Sequence, residues 1–387
     1  MGFFTKQMTV YYKTISLGKK KSQSVTKKGS VSKKEKIIIQ KIPFSERVVI
    51  SEDYESNTNE KLNFDEKRLT YMKNLLQKNV NAIRSSPPPI VISGEGVANF
   101  NKYIIHGTLV ADTGYTRKYY AKHQDFPDMI LLAKCIKKLD NIPNRDYLKM
   151  ISYLGRKQTF IIGFWDIFLR PNNMEIIVIQ DLASNRDMGM HVKKSNTLIP
   201  EWQCCYWLRQ IFKALDFLGD IGICHRCVIP KYILLQGDKL QVKLSHFYEA
   251  MIYWNPQVEN INYLPCISKS KQKYEDYQAP EVYGNAEIEE FDPISADIWS
   301  MGAVMYFIVC REYPYNVSNR VTSNCTTITL KKEIDYNINA LQLSSEGKQF
   351  LMSVLNPCIM QRVTFDKISA LTWLNMLKDV ARNNGFM

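Results

Sequence analysis

The chain has 387 residues, 45% of them apolar, enough to bury a full core, so it is read as a globular protein with two or three average domains or one large domain and a tail. A net charge of +13 raises nucleic acid, an anionic membrane surface or acidic proteins as ligands, but residues 1–41 hold eleven lysines against the single acid Glu35, a balance of +10 that leaves about +3 for the rest. Nine scattered cysteines without a signal peptide point to reduced thiols, hence to the cytoplasm, with the nucleus reachable through the Lys-rich tail. No apolar run reaches the roughly 18 residues of a membrane span. Met1-Gly2-Phe3-Phe4-Thr5-Lys6 puts its threonine one place too early for a myristoylation signal.

Residues 1–62 are predicted as a disordered Lys-rich tail, because the Lys, Ser, Thr and Gly between Lys13 and Lys36 leave too little apolar surface to offset chain entropy. Such an arm is either simply solvated or docks a polyanion such as microtubules, nucleic acid or acidic lipid. Residues 63–98 follow as an amphipathic helix and a Pro-rich linker. Leu69, Met72, Leu75, Leu76, Val80 and Ile83 recur at three- and four-residue spacing, and that stripe either packs on the domain that follows or docks another protein. Ser85-Ser86-Pro87-Pro88-Pro89 ends the helix and reads as a stiff spacer before a main domain, residues 99–378, and a C-terminal tail, 379–387.

Within the main domain, β-prone runs come first: Tyr103 to Val110, Thr116 to Ala121, Met129 to Ile136, Trp165 to Leu169 and Glu175 to Ile179, with one helical stretch at Arg145 to Leu154. After Trp202 the pattern turns helical, with Trp207, Leu208, Ile211, Leu215 and Leu218 on one face and a later apolar run from Ile298 to Val309. A small β-rich lobe followed by a larger helical lobe is an α+β arrangement with a ligand cleft between the lobes.

The stretch Cys224-His225-Arg226-Cys227-Val228-Ile229-Pro230-Lys231-Tyr232-Ile233-Leu234-Leu235 resembles the catalytic loop of protein kinases, His-Arg-Asp with an asparagine five residues on. Lys134, in Leu131-Leu132-Ala133-Lys134, resembles the strand lysine that holds the α- and β-phosphates. Ala279-Pro280-Glu281 matches the motif that closes the activation segment, and Asp297-Ile298-Trp299-Ser300-Met301-Gly302 resembles the central helix of the large lobe. Arg362 stands where the family pairs an arginine with Glu281, and Trp373 follows at the usual distance. The resemblance runs from Asn99 to Leu377 and implies the two-lobed kinase fold. Leu208-Arg209-Gln210-Ile211 and Val309-Cys310-Arg311-Glu312-Tyr313-Pro314-Tyr315 look most like the testis-specific serine kinases of the calmodulin-dependent group, which implies a male germ-line setting.

The same alignment shows what is missing. Phosphoryl transfer needs ATP positioned, magnesium held over its phosphates and a carboxylate orienting the hydroxyl nucleophile. The glycine loop reads Val110-Ala111-Asp112-Thr113-Gly114-Tyr115, with one glycine out of register and Asp112 bringing negative charge toward phosphate. Cys227 stands for the base, Ile229 for a phosphate-contacting lysine, Tyr232 for the asparagine metal ligand, and His246-Phe247-Tyr248 for Asp-Phe-Gly, so His246 replaces the aspartate that bridges metal and phosphates. Magnesium prefers hard oxygen ligands. The alignment puts Lys149 where the small-lobe helix should offer Lys134 a glutamate, with Asp146 as the nearby carboxylate, and a bulky Lys273-Tyr274-Glu275-Asp276-Tyr277 in the substrate-docking stretch. Losing a base and both metal ligands takes a kinase from about 1–100 s⁻¹ to below roughly 10⁻³ s⁻¹.

The residues that brace the scaffold are present: His225, Arg226, Glu281, Asp297 and Arg362. The expected protein is therefore a pseudokinase, with no catalytic residue, no metal and no cofactor beyond a residual metal-free ATP contact at Lys134, whose other reading is a lysine in an internal ion pair. It would act as a scaffold or allosteric partner of an active kinase or its substrates. The competing reading is an active serine/threonine kinase in which Asp238 or Glu249 moves in. Two further readings attach to the loop itself: Cys224, His225 and Cys227 as zinc ligands, and Cys227 as either a reactive thiol or a plain buried one.

Overall fold

The computed structural model describes residues 58–92, 101–137, 146–171, 175–266, 275–283, 289–315 and 327–376. Of the expected basic tail, 1–62, residues 1–57 lie outside the described residues, as does the C-terminal tail, 379–387, whereas 58–62 already belong to a helix. The first half of the chain gives helix α1 (Thr58–Arg84), strands β1 (Ile90–Val91), β2 (Tyr103–Asp112), β3 (Thr116–His123) and β4 (Phe126–Ile136), helix α2 (Tyr147–Leu154), strands β5 (Phe164–Arg170) and β6 (Glu175–Asp181), and helices α3 (Met188–Lys194) and α4 (Glu201–Asp220). β2 to β6 are the five runs that alternation marks out, each extended by a few residues. With β1 they make one sheet in the order β1-β5-β6-β4-β3-β2. β1 lies parallel to β5 through Ile90↔Phe168 and Val91↔Leu169, so the stretch after the prolines adds an edge strand to the sheet as well as spacing.

The two faces of this sheet bury different sets of side chains, as a period of two requires. Tyr103, Ile105, Ala121, Leu131, Phe168, Ile177 and Ile179 form a cluster of their own on one face. On the other, Ile136, Ile176 and Val178 join Met150, Ile151 and Leu154 of α2 in the main core. Lys118, Lys134 and Val178 are direct partners across β3, β4 and β6, and opposed residues in an antiparallel sheet share a face. Register therefore puts Lys118 beside Lys134, on the side of the sheet that α2 covers.

The second lobe begins with α4, whose Trp207, Leu208, Ile211, Leu215 and Leu218 are buried as expected. Short strands follow: β7 (Ile223–Cys224), β8 (Ile233–Gln236), β9 (Gln241–Leu244), β10 (Met251–Ile252), β11 (Trp254–Asn255), β12 (Asn260–Ile261), β13 (Leu264–Pro265) and β14 (Glu290–Phe291). They pair as β8-β9, β7-β10, β11-β12 and β13-β14. Helix α5 (Pro293–Cys310) starts on Asp292, which accepts the Ile294 amide at 3.0 Å, and ends at Arg311 in the left-handed region. It is long and apolar enough to cross a bilayer, with a mean hydropathy of 1.4, but it is almost wholly buried in the lobe's core. At Gly302 a Cβ would come within 2.6 Å of Val354, so the close approach of the helix that ends at Val354 requires glycine there. Helices α6 (Thr327–Asn339), α7 (Ser345–Val354), α8 (Phe365–Ala370) and α9 (Thr372–Met376) complete the lobe.

The apolar stripe of α1 is buried within this chain. Met72, Leu76, Val80 and Ile83 are all at most 4% exposed and join the main core, which resolves the two readings of that helix in favour of intramolecular packing. Elsewhere in the large lobe, Glu281 and Arg362 form a bidentate pair, with Arg362 Nη2 donating to Glu281 Oε2 at 3.0 Å, and Arg362 Nη1 also donating to the Ser295 carbonyl at 2.9 Å. Both side chains are essentially inaccessible. Removing one partner of such a pair leaves an uncompensated buried charge. Glu281→Ala is expected to lower the unfolding free energy by about 3–5 kcal/mol, measured as a shift in urea midpoint at constant m-value. A loss under about 1 kcal/mol, the range of an exposed pair, would show that Arg362 rehydrates in place.

Candidate functional site

Between β7 and β8 the chain turns through His225, Arg226 and Cys227, and a single carboxylate fixes that turn. Asp297, buried on α5, accepts the His225 amide at 2.7 Å through Oδ2 and the Arg226 amide at 2.8 Å through Oδ1. Arg226 takes a φ of +65°, a backbone shape that a non-glycine residue adopts only when held. The His225 ring reaches the Ser245 carbonyl at 3.0 Å, and burial pushes its pKa down to about 4, so the ring is neutral. Phe247 packs edge-on against His225 and Phe164, with ring centroids at 4.8 and 5.9 Å, as the resemblance implies for the phenylalanine of its triplet.

The residues beside Phe247 depart from the family. His246, at φ +66°, lies flat on Tyr232, with ring centroids 3.6 Å apart and an interplanar angle of 6°. These are the two positions that should ligate metal, and here they stack on each other. Tyr248 meets the His246 ring edge-on at 5.2 Å and stacks on Tyr147 of α2 at 4.8 Å and 15°. The four rings form a continuous aromatic column from the catalytic loop to the small-lobe helix. Burial, followed by Lys134, His225, Lys118 and Lys231, holds the His246 pKa down to about 2. Apart from the neutral His225 these groups are lysines, and a site with that balance does not fit magnesium, which takes oxygen ligands, usually one or two carboxylates together with the substrate's phosphates. Among the described residues no three His, Cys, Asp or Glu side chains gather as a metal site, and that includes the Cys224, His225 and Cys227 run.

Lys134 has no ion pair among the described residues, so the internal ion pair considered for it is replaced by a different contact. Its ammonium lies 3.9 Å from the centre of the Tyr248 ring, a cation–π geometry. The residue keeps some exposure along its length, but the ammonium end is deep in the protein. Burial, then the neighbouring Lys118 charge, lowers its pKa to about 7. Lys118 is lowered too, by burial and then by Lys231. The expected place of Lys149 on this helix is corrected by two residues: Lys149 is exposed, and Tyr147, buried and stacked on Tyr248, is the α2 residue that faces the cleft. Asp146 only begins that helix and accepts no capping hydrogen bond through its side chain. A sheet register was needed to find Lys118 and a helix phase to find Tyr147. Tyr248 was legible as bulk where the family has glycine.

Other expected features find their places nearby. The β2–β3 turn is closed by Asp112 itself, whose Oδ1 accepts the Gly114 amide at 2.7 Å, so that amide is not free to approach a phosphate. Cys227 is 5% exposed, and burial, ahead of Glu249, Asp297 and two opposing cations, pushes its thiol up to about 12, which answers to the buried thiol and not the reactive one. Ile229 is buried. Asp238 and Glu249, the candidate replacement carboxylates, are both exposed, Asp238 in the β8–β9 turn and Glu249 just after the triplet. Tyr277, expected to roughen the substrate surface, instead turns inward against Tyr313 and Phe307.

The two histidines of depressed pKa, His225 and His246, give the fold a pH dependence. A histidine unfolds with a pKa near 6.5, so below that value the unfolded chain takes up protons that the folded His246 refuses until about pH 2. Its stability contribution is complete above pH 6.5 and is lost as pH falls through that window. Asp216, Asp220 and Asp297, raised to about 6, 7 and 7, act the other way in any variant that keeps them. His246→Asn, a residue that tolerates positive φ, is therefore expected to flatten the fall in stability between pH 6 and 5 by roughly 1 kcal/mol relative to the unaltered chain. Parallel curves from urea unfolding at each pH would show that His246 protonates in the folded state.

The chain matches the model of the protein kinase domain over residues 117–374. It is 22% identical over 255 residues to the serine/threonine-protein kinase SAPK4 of Oryza sativa subsp. japonica, taking in 65% of this chain and 66% of that protein. It is 25% identical over 224 residues to the testis-specific serine/threonine-protein kinase 2 of Mus musculus, taking in 58% and 59%. The chain thus spans just under two thirds or less of the length of these relatives. A chain of the CAK complex of Chaetomium thermophilum, solved bound to ATP-gamma-S, superposes with a TM-score of 0.58 at 19% identity over 71% of this chain and 91% of that one, a likeness of fold. With the family model matched over most of its length and serine/threonine kinases among its relatives, the chain belongs to the protein kinase family.

Proposed function

We propose that this kinase-family chain is catalytically inactive and works by binding, as a scaffold or allosteric partner of other proteins. The observation that carries this reading is the stacked Tyr232–His246 pair, two rings lying on each other at 3.6 Å where phosphoryl transfer needs two oxygen ligands for magnesium. A neutral imidazole and a phenol supply neither the charge nor the geometry, and Cys227, protonated and buried, cannot orient a hydroxyl as a carboxylate does. In this reading a hydroxyl group brought to the cleft meets a thiol where the family places its carboxylate base, and an imidazole and a phenol where it places its metal ligands.

Resemblance to the testis-specific kinases makes an active kinase of that type, or one of its substrates, the proposed partner class. The basic tail is proposed to dock polyanions, and the chain to act in the cytoplasm, with entry to the nucleus through that tail. One observation favours a second reading of the cleft: Lys118 beside Lys134 offers two cations to an anion without metal. In that reading ATP, or another polyphosphate, is a structural ligand.

Incubation of the purified chain with labelled ATP, magnesium and a generic protein substrate is expected to give no incorporation above that of a Lys134→Met variant. Incorporation that depends on Lys134 would overturn the proposal. Thermal unfolding with ATP in magnesium and in EDTA divides the two readings of the cleft, since a ligand that binds only the folded state must raise the midpoint. An unchanged midpoint in both is the scaffold without nucleotide; a rise of equal size in both is the metal-free ligand.

A further inference from the structure

In this chain the small-lobe helix α2 has lost the cleft-side tether that its family builds from a carboxylate and the strand lysine, since Lys134 points to Tyr248 and Tyr147 takes the inner face of the helix. The Tyr147–Tyr248 stack holds the inner face of α2 in its place, and the structure offers a second hold on the opposite side. Helix α1 buries Met72, Leu76, Val80 and Ile83 in the same core as Met150, Ile151 and Leu154 of α2. Asn79 sits at the centre of this contact. Its Oδ1 lies 3.4 Å from the Tyr153 hydroxyl of α2, and its Nδ2 donates to the Asp220 carbonyl at 3.1 Å, at the C-terminus of α4.

That helix end is where the activation segment also attaches. The last carbonyls of a helix have no partner within it. Here Asn79 of α1 takes the one on Asp220, and the Tyr253 hydroxyl takes the one on Gly219 at 2.6 Å. Directly after them, Gly222 adopts a φ of +84°, and a Cβ there would stand 3.0 Å from Val80 and 3.5 Å from Trp254. Only glycine allows α1 and the β11–β12 hairpin to close over this turn. Lys73 then reaches the tip of the hairpin and pairs with Glu259 at 2.8 Å.

We propose that α1 is a built-in strut, docked in a groove formed by α2, the end of α4 and the β11–β12 hairpin, which holds the small-lobe helix and the first half of the activation segment in one arrangement without nucleotide. The groove takes an amphipathic helix with apolar side chains at the spacing of Leu76, Val80 and Ile83 and an amide at Asn79, and α1 is its occupant. The inference stands whether or not the cleft binds an anion, because none of its contacts involves Lys118, Lys134 or the aromatic column.

Hydrogen–deuterium exchange on the full chain tests it. Leu76→Asp with Val80→Asp puts two charges into the buried face and is expected to speed exchange at least tenfold in residues 147–154 and 251–261, while α5 and α7 keep the rates of the unaltered protein. Asn79→Ala, which keeps the apolar face and is milder, is expected to speed the same two segments a few-fold. The unaltered chain should show no change in either segment on adding ATP. Acceleration confined to residues 58–84 would overturn the proposal, since the groove would then hold its shape without its helix. Acceleration spread evenly over α5 and α7 in both variants would also overturn it, by showing that α1 contributes only to global stability.

Discussion

The buried carboxylate of Asp297 is the constraint on which the site depends. It accepts two consecutive amides, of His225 and Arg226, and thereby fixes a turn that the chain would not otherwise take, with Arg226 at positive φ. Burial raises its pKa to about 7, and the two amide bonds together with the Arg226 charge oppose that rise, since hydrogen bonds to the ionised form favour it. Once the turn is fixed, the His225 ring reaches the Ser245 carbonyl, Phe247 closes on His225, and the next residue back, His246, is turned out toward Tyr232. The column of rings is thus aimed by the large-lobe scaffold, one residue at a time.

What that scaffold aims has changed in kind. A cleft built for ATP and magnesium sets carboxylates and lysines close together, and each needs the other or the ligand to be charged at low cost. Here the aspartate and the asparagine expected at the metal positions are replaced by an imidazole and a phenol, and Lys134 has no carboxylate partner among the described residues. The chain meets the cost in two ways. Lys134 places its ammonium on the face of Tyr248, which returns part of the lost electrostatic stabilisation. Burial and the neighbouring Lys118 also lower its pKa to about 7, so its charge is held far less firmly than that of a solvated lysine. Stacked neutral rings need no ligand to be stable, and the cleft is self-sufficient in a way that a charged one is not.

The fold was largely legible because it rests on local pattern. Strand alternation located β2 to β6 to within a few residues, and the Asp297, Glu281 and Arg362 positions were readable from short motifs whose partners lie far away in sequence. Three features were not legible, each for a physical reason. β1 is two residues long, too short for any periodicity, and exists only because β5 offers an open edge. Lys118 sits on an ordinary alternating strand, and only pairing register brings it to Lys134. The phase of α2 escaped because residues 138–145 lack a landmark from which to count, so an alignment from the following strand put Lys149 where Tyr147 belongs. The choice for α1 between packing and docking was decided by the burial of its stripe against segments far away in sequence, Gly222 among them, which no local pattern can announce.

The retained scaffold is weaker support for a binding role than the rebuilt cleft. Glu281, Arg362 and Asp297 are buried, and losing any one of them exposes the fold to an unpaired charge or unbonded amides, a penalty that any folded descendant of a kinase must avoid whatever it does. Their presence follows from stability alone. Cys227, Tyr232 and His246 stand apart from that bracing, which holds the catalytic loop through the His225 and Arg226 amides on Asp297 and the His225 ring on the Ser245 carbonyl. Loss of function by itself would leave those positions with unrelated side chains and a loose cleft. Two of them instead lie parallel at 3.6 Å and continue into Tyr248 and Tyr147, so that the large-lobe loop and the small-lobe helix are joined through packed rings. A cleft filled in that way fixes the relation between its lobes without a ligand, and a fixed shape is what a binding surface requires.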